Sequence, residues 1–103
     1  MRRKILITGI NGFLGSRLAI KLKSNYDIIG LEYSIKNLFR IESEQFLVYS
    51  SIDSSIESIF SMHNFYGVIH AATIYRNDNR SIDELIFSNV LLPIKILEIA
   101  NHS

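Results

Sequence analysis

The 103-residue chain contains no cysteine and no tryptophan, and it has one proline. The absence of cysteine excludes disulfides, thiolate zinc sites and a cysteine nucleophile. An excess of one charge is also absent, because 11 lysines and arginines face 10 acidic residues and leave a formal net charge of +1. The composition therefore does not point to nucleic acid or an anionic membrane as a partner. No apolar run approaches the roughly 18 residues of a membrane span.

The first seven residues have a basic head and an apolar run, as a signal peptide does. The run stops at Thr8-Gly9, and no small-residue cleavage site follows it. We therefore expect a cytoplasmic protein. With 48% hydrophobic and 20% charged residues, the composition is that of a globular protein. The length fits one domain over residues 1–103.

Four short apolar segments predict strands that are buried in a parallel sheet. They are residues 5–7, 27–32, 46–49 and 67–72. Three patterns typical of helices lie between or after these segments. They are the leucines Leu14, Leu18 and Leu22 at a spacing of four, a capping box at residues 54–57, and a second capping box at residues 81–84. The last helix extends to about residue 101, and Pro93 should kink it or mark a tight packing point. Residues 34–44 are ambiguous, and we expect a short helix there.

Strands and helices alternate along the whole chain with short connections. This alternation predicts an α/β fold, namely a Rossmann-type parallel sheet with right-handed crossovers and helices on both faces. The sheet order expected for such a unit is 3-2-1-4.

Three glycines connect the first strand to the first helix, at Gly9, Gly12 and Gly15. This spacing suits a tight turn, a close approach of backbone to phosphate, and close packing of helix on strand. The free N–H groups at the start of the helix, around Phe13 and Leu14, would then bind a pyrophosphate. The plainer alternative is a turn that needs glycine for its conformation alone. A flavodoxin-like or receiver-like domain is disfavoured, because the three-glycine turn suits a pyrophosphate better than FMN or a phosphoacceptor aspartate.

A carboxylate stands at the end of the second predicted strand, at Glu32. In a dinucleotide-binding unit this position accepts hydrogen bonds from the adenosine ribose and repels a 2′-phosphate, which favours NAD over NADP. Lys36 and Arg40 follow closely and can accommodate a 2′-phosphate, so NADP is not excluded. The alternative is a solvated acid at a strand end.

The string Thr8-Gly9-Ile10-Asn11-Gly12-Phe13-Leu14-Gly15 resembles the T-G-x-x-G-F-L-G pattern of the extended short-chain dehydrogenases/reductases, the NAD-dependent epimerase/dehydratase family that acts on nucleotide sugars. Residues 68–73 resemble that family's V-I-H-x-A-A strand. Residues 88–100 resemble its N-V-x-x-x-x-x-L-L-E-x-A helix. The resemblance implies an NAD cofactor and, in the full-length protein, a nucleotide-sugar substrate, with general likeness closest to the CDP- or dTDP-deoxysugar enzymes. It also implies that the backbone of His70, Ala71 and Ala72 lines the cofactor, although a histidine in a buried strand is more often a core residue.

One departure from the family concerns the adenine end of the cofactor. The family usually has D-[ILV]-x-D after its third strand, and its first aspartate reaches the adenine amine. Ser51 holds that place here, followed by Ile52 and Asp53. Ser51 can still donate or accept a hydrogen bond, and the backbone of Ile52 can meet the adenine edge. We expect Asp53 to cap the following helix.

The second departure concerns catalysis. The family's chemistry uses a Tyr-x-x-x-Lys pair, in which the lysine lowers the pKa of the tyrosine, together with a serine or threonine. None of the five tyrosines has a lysine four residues later. We therefore expect the cofactor half of an enzyme without its catalytic half, and a Rossmann sheet that is incomplete at its C-terminus. A fourth strand left at the edge of that sheet would be apolar and would favour homo-oligomers.

The sequence thus predicts the NAD(P)-binding part of a nucleotide-sugar epimerase, dehydratase or reductase, with a non-catalytic dinucleotide-binding regulatory module as the alternative. No residue is assigned to catalysis, and none to a metal, because no metal-ligand spacing is present. The candidate cofactor-binding residues are Gly9, Asn11, Gly12, Phe13, Leu14, Gly15, Glu32, Ser51, Ile52, His70, Ala71 and Ala72.

Overall fold

The computed structural model describes residues 2–71 and the single position Ile94. Residues 2–71 contain four strands and two helices, and a loop without a helix connects the second strand to the third. The elements are β1 (Lys4–Thr8), α1 (Phe13–Leu22), β2 (Asp27–Glu32), β3 (Leu47–Ser50), α2 (Ile56–Met62) and β4 (Phe65–His70). All strand pairs are parallel and the sheet order is β3-β2-β1-β4, which confirms the predicted order 3-2-1-4.

Strand β1 lies between β2 and β4, and its side chains alternate between the two faces of the sheet. Leu6 belongs to one buried cluster, together with Ile56 and Ile59 of α2. Ile5 and Ile7 belong to a second cluster, which includes Ala19 of α1 and is therefore on the other face. Both faces are covered, which explains why the strand is apolar at successive positions. Burying each of these side chains stabilises the fold by about 1.5–3 kcal/mol.

The buried face of α1 differs from the predicted leucine stripe. Its buried residues are Gly15, Ser16 and Ala19. Leu14 is 59% exposed, whereas Leu18 and Leu22 are only partly buried against the sheet. Small residues face the sheet because the helix begins in contact with the turn that follows β1, and larger side chains do not fit there.

Helix α2 begins one residue later than the capping box predicts. Ser55 is the N-cap, and its side chain accepts a hydrogen bond from the Ser58 N–H at 3.1 Å. The prediction that Asp53 caps this helix is wrong. Its backbone N–H instead donates to the Ser50 carbonyl in a turn that ends β3.

The expectation of a short helix over residues 34–44 is wrong, since this segment consists of turns and irregular backbone. Ile41 anchors the segment, since its side chain is 4% exposed and packs in the second cluster, which includes Ala19 of α1. The second capping box, Pro93 and the predicted last helix lie outside the described residues, apart from Ile94, which is helical and exposed.

Strand β4 forms one edge of the four-stranded sheet made by the described residues. Val68 and Ile69 are partly buried there, and association through this edge stays a prediction. Within the described part of the chain, no helix has the length and apolar character that crossing a membrane requires.

Candidate functional site

The glycine turn follows the carboxyl end of β1 and is hydrogen-bonded to the carboxyl end of β2. Gly9 has a φ of 67°, a left-handed conformation that favours glycine, and its N–H donates to the Leu31 carbonyl of β2 at 2.8 Å. Ile10 is fully buried and fills the space that a side chain at Gly30 of β2 would need, since a Cβ there would lie 2.6 Å from its Cγ2. The turn is therefore fixed on the sheet by both a hydrogen bond and packing.

The other two glycines allow the helix to start directly on this turn. A Cβ on Gly15 would overlap the Gly9 carbonyl oxygen and would lie 2.9 Å from the Gly9 carbonyl carbon. A Cβ on Gly12 would lie 3.1 Å from the same oxygen, and the Gly12 N–H donates to that oxygen at 2.9 Å. No side chain therefore projects from the turn at Gly9, Gly12 or Gly15.

The N-terminus of α1 is open to an anion. Gly12 is the N-cap and supplies no side-chain hydrogen bond, and the first turn of the helix contains no acidic residue. The N–H groups of the first turn have no partner inside the helix and carry a partial positive charge. Phe13 and Leu14 are 62% and 59% exposed there, and the Arg17 guanidinium lies 4.1 Å from the centre of the Phe13 ring. Charge and exposure both favour an anionic ligand at this point.

Glu32 ends β2, as predicted, and lies next to the glycine turn. Its Oε2 accepts a hydrogen bond from the Asn11 backbone N–H at 2.6 Å. The carboxylate and the glycine turn are therefore parts of one site. This contact follows from the parallel pairing of β1 with β2, which ends both strands at the same edge of the sheet.

An open cavity of about 390 Å³ lies beside Glu32. Its walls come from the glycine turn, the end of β2, the loop after it and the end of β3. The lining residues are Asn11, Glu32, Tyr33, Ser34, Lys36, Asn37, Leu38, Phe39 and Ile52. Three of the predicted site residues, Asn11, Glu32 and Ile52, meet here. The sequence did not identify the wall formed by Tyr33, Ser34 and residues 37–39, because this loop carries no periodic or motif signal.

Ser51 and Ile52 differ in how they face this region. Ile52 is 58% exposed and lines the cavity, while its N–H donates to the Tyr33 carbonyl at 3.3 Å. The Ser51 Oγ is enclosed and finds no hydrogen-bond partner within the described part of the chain. A direct bond from this hydroxyl to an adenine amine therefore requires the side chain to rotate toward the cavity.

The end of β4 is tied to the end of β1 by Thr8. Its Oγ1 lies 2.6 Å from His70 Nδ1, and the Ala71 N–H donates to both Thr8 Oγ1 and the Thr8 carbonyl at 3.1 Å. His70 is exposed, so its interpretation as a buried core histidine is wrong. His70 is exposed because it is the last residue of β4, which is an edge strand of the sheet formed by the described residues. Ala72 lies outside the described residues.

A second polar cluster, which the sequence did not reveal, surrounds His63 at the start of β1 and β4. His63 Nδ1 lies 3.2 Å from Lys4 Nζ, and His63 Nε2 lies 2.8 Å from the Tyr49 hydroxyl. Burial lowers the pKa of His63, and the neighbouring Lys4 lowers it further. Lys4 and His63 lie at the amino ends of β1 and β4, whereas the glycine turn lies at the carboxyl end of β1. Among the described residues, no group of three histidine or acidic side chains is placed to hold a metal ion.

The sequence and the fold both match known proteins along nearly the whole chain. A model of the NAD dependent epimerase/dehydratase family matches residues 5–103. CDP-abequose synthase of Salmonella muenchen is 33% identical over 101 residues, which cover 96% of this chain and 33% of that protein. CDP-abequose synthase of Salmonella typhimurium is 23% identical over 103 residues, covering 97% of this chain and 34% of that protein.

The fold has a solved counterpart. The UDP-glucuronic acid 4-epimerase from Bacillus cereus, whose crystal structure is in complex with NAD, superposes with a TM-score of 0.74 at 23% identity. The superposition covers 96% of this chain and 36% of the epimerase chain. This chain therefore spans about a third of the length of each relative. With a family model that matches residues 5–103, the chain belongs to the NAD-dependent epimerase/dehydratase family.

Proposed function

We propose that this chain is the NAD(P)-binding part of a nucleotide-sugar epimerase, dehydratase or reductase, and that the Gly9–Gly15 turn binds the dinucleotide pyrophosphate. The observation that carries the proposal is the contact of Gly15 with the Gly9 backbone beneath an uncapped helix start. The contact brings the start of α1 close to the turn, where Gly9, Gly12 and Gly15 carry no side chains, and so supports phosphate binding by the first N–H groups of α1. Such an arrangement binds phosphate groups through backbone N–H groups and the helix dipole.

The adenosine half of the cofactor fits the cavity beside Glu32. The carboxylate at the end of β2 is held by the Asn11 N–H and stands where a ribose hydroxyl would donate to it. A 2′-phosphate would bring a second anion to this carboxylate, so NAD is the preferred cofactor. Lys36 lines the same cavity and reduces the repulsion, which keeps NADP compatible with the site.

The backbone of His70, Ala71 and Ala72 is proposed to follow the pyrophosphate and the nicotinamide ribose. The support is the position of Ala71, whose N–H is held by Thr8 directly beside the glycine turn. When bound, the nicotinamide supplies or accepts a hydride at a sugar carbon. The described residues bind and orient the dinucleotide.

The substrate class follows from the relatives. Because CDP-abequose synthases are similar over 96% and 97% of this chain, a CDP-linked sugar is the first substrate to test. The full-length protein would be assayed with CDP-, dTDP- and UDP-linked sugars, following cofactor absorbance and analysing the products. Turnover of UDP-linked sugars alone would contradict the CDP assignment and leave the family function intact.

A non-catalytic dinucleotide-binding module remains the second candidate. The glycine turn and Glu32 would look the same in an enzyme and in such a module, because both bind the dinucleotide. Reading the gene past codon 103 separates the two candidates. A serine or threonine followed by Tyr-x-x-x-Lys supports the enzyme, whereas a stop codon directly after Ser103 supports the module.

The pyrophosphate site is tested with a pair of variants at Gly12, in the protein expressed from its complete reading frame. Gly12→Asp and Gly12→Asn both supply a good N-cap and have nearly the same shape, so they should have similar stability. The aspartate adds a negative charge where the pyrophosphate would bind. We expect Gly12→Asp to bind NADH at least about tenfold more weakly than Gly12→Asn, measured by NADH fluorescence titration. Equal affinities would overturn the assignment of this turn.

A further inference from the structure

Asn11 makes four hydrogen bonds from the middle of the glycine turn. Its backbone N–H donates to Glu32 Oε2 at 2.6 Å, and its backbone carbonyl accepts from Arg40 Nη1 at 3.3 Å. The side-chain amide makes the other two, because Nδ2 donates to the Asn37 carbonyl at 3.0 Å and Oδ1 accepts from the Arg40 N–H at 2.8 Å. The amide thus matches one donor and one acceptor on the backbone of a single loop.

That loop forms a wall of the cavity beside Glu32. Residues 36–39 line the cavity, and the segment 34–44 contains no helix or strand to hold it in place. Ile41 holds the loop against the sheet by packing in the hydrophobic cluster that includes Ala19 of α1. The Asn11 amide connects the loop to the glycine turn through backbone groups of Asn37 and Arg40, which stand just before and just after residues 38 and 39.

The same contacts orient the Asn11 side chain toward the loop. Nδ2 donates one of its two hydrogens and Oδ1 accepts one bond there, while the backbone N–H is engaged by Glu32. The backbone N–H groups that remain for a phosphate are those at the start of α1, where Gly12 supplies no side-chain cap.

We propose that Asn11 is a positioning residue, whose side chain latches residues 37–40 onto the glycine turn and so sets the wall of the adenosine cavity. This inference rests on the proposed function for the identity of the ligand, but the latch itself exists without ligand. Asn11 would act on the adenosine half of the cofactor through the loop and leave the pyrophosphate contacts unchanged.

Trypsin measures the latch directly, because Lys36 and Arg40 are cleavage sites inside the loop. In Asn11→Ala we expect cleavage after these two residues to be faster by about tenfold, since cleavage follows the population of the open loop. Cleavage at other sites and the Tm should change little. Asn11→Asp keeps the acceptor for the Arg40 N–H and should be cleaved at an intermediate rate. Asn25→Ala changes an exposed asparagine in another turn and is the matched control.

Binding of two small probes separates the latch from a direct contact. We expect Asn11→Ala to bind AMP about tenfold more weakly and inorganic pyrophosphate with unchanged affinity. Equal loss for both probes with unchanged cleavage would make Asn11 a direct ligand and overturn the proposal. Faster cleavage at all basic sites with a lower Tm would also overturn it, because the role would then be general stability. If the wild-type protein binds neither AMP nor NADH, the proposed function fails, while the cleavage rates still decide the latch.

Discussion

Gly15 packs directly against the backbone of Gly9, so that a methyl group on Gly15 would overlap the Gly9 carbonyl oxygen. This contact fixes where α1 begins relative to β1. It also explains why the helix buries glycine, serine and alanine and leaves Leu14 exposed. The absence of a side chain at Gly15, in the proposed phosphate site, is therefore required by the packing of the helix on the turn.

Replacing Gly15 with alanine should destabilise the protein. The atoms that the new Cβ meets belong to backbone, which cannot move aside as a flexible side chain can. We expect the free energy of unfolding to fall by about 1–3 kcal/mol, measured by urea denaturation. Gly67→Ala is the control, because a Cβ at Gly67 meets nothing within 4 Å and should change stability by less than about 1 kcal/mol. Equal stability of the two variants would contradict the packing argument.

Replacing Glu32 with glutamine should change the preference between cofactors. The wild-type protein is expected to bind NADH more tightly than NADPH, because the carboxylate repels a 2′-phosphate. Glu32→Gln removes the charge and should shift the ratio of the two dissociation constants toward NADPH by on the order of tenfold. Glu42→Gln, at an exposed position in the loop after β2, should leave the ratio unchanged. Equal binding of both cofactors by the wild-type protein would remove the role proposed for Glu32.

Two neighbouring serines should respond differently to alanine. The Ser50 hydroxyl donates to the Tyr33 carbonyl at 3.0 Å, so we expect Ser50→Ala to lower the free energy of unfolding by about 1 kcal/mol. The Ser51 hydroxyl is enclosed without a partner among the described residues, so its removal should be neutral or stabilising. Thermal unfolding of both variants tests this difference. If Ser51 also reaches adenine, Ser51→Ala should in addition weaken AMP binding.

Stability should depend on pH through His63. Burial and the nearby Lys4 lower its pKa below the ordinary value of about 6.5, so the folded state favours the neutral ring. The resulting stability is fully present above pH about 6.5 and is lost as the pH falls through the lower pKa of the folded state. The stability advantage of the wild type over His63→Gln should therefore shrink between pH 7.5 and pH 5, as urea denaturation at each pH would show.

Lys4→Met provides the control for this pH dependence. It removes the second cause of the lowered pKa and leaves the partial burial of the ring in place, so the pKa of His63 should rise toward its ordinary value. An NMR titration of His63 measures this change directly. An advantage of the wild type that is constant over the whole pH range would show that His63 does not couple folding to protons.

The alternation of apolar segments with helical patterns predicted a parallel α/β sheet. The order 3-2-1-4 followed from the Rossmann-type interpretation, which the glycine turn and the family resemblance supported. The sequence predicted a carboxylate at the end of β2, at Glu32, whereas the contact of Glu32 with the glycine turn appeared only in the structure. It did not predict the face of α1, since a spacing of four residues gives the period of a helix without saying which side is buried. The choice between Ser54 and Ser55 as helix cap depended on where β3 ends, which is a property of strand pairing.

By itself, the sequence determined the α/β architecture, the glycine turn and the carboxylate at the end of β2, because each depends on local residue types and their spacing. Only the tertiary structure decided that Asn11 joins the turn to the loop at residues 37–40. Those hydrogen bonds link the Asn11 amide to backbone groups 26 and 29 residues away, and backbone groups leave no trace in the sequence. The contact of His63 with Lys4 also depends on tertiary structure, because it requires α2 to pack on the sheet beside β1.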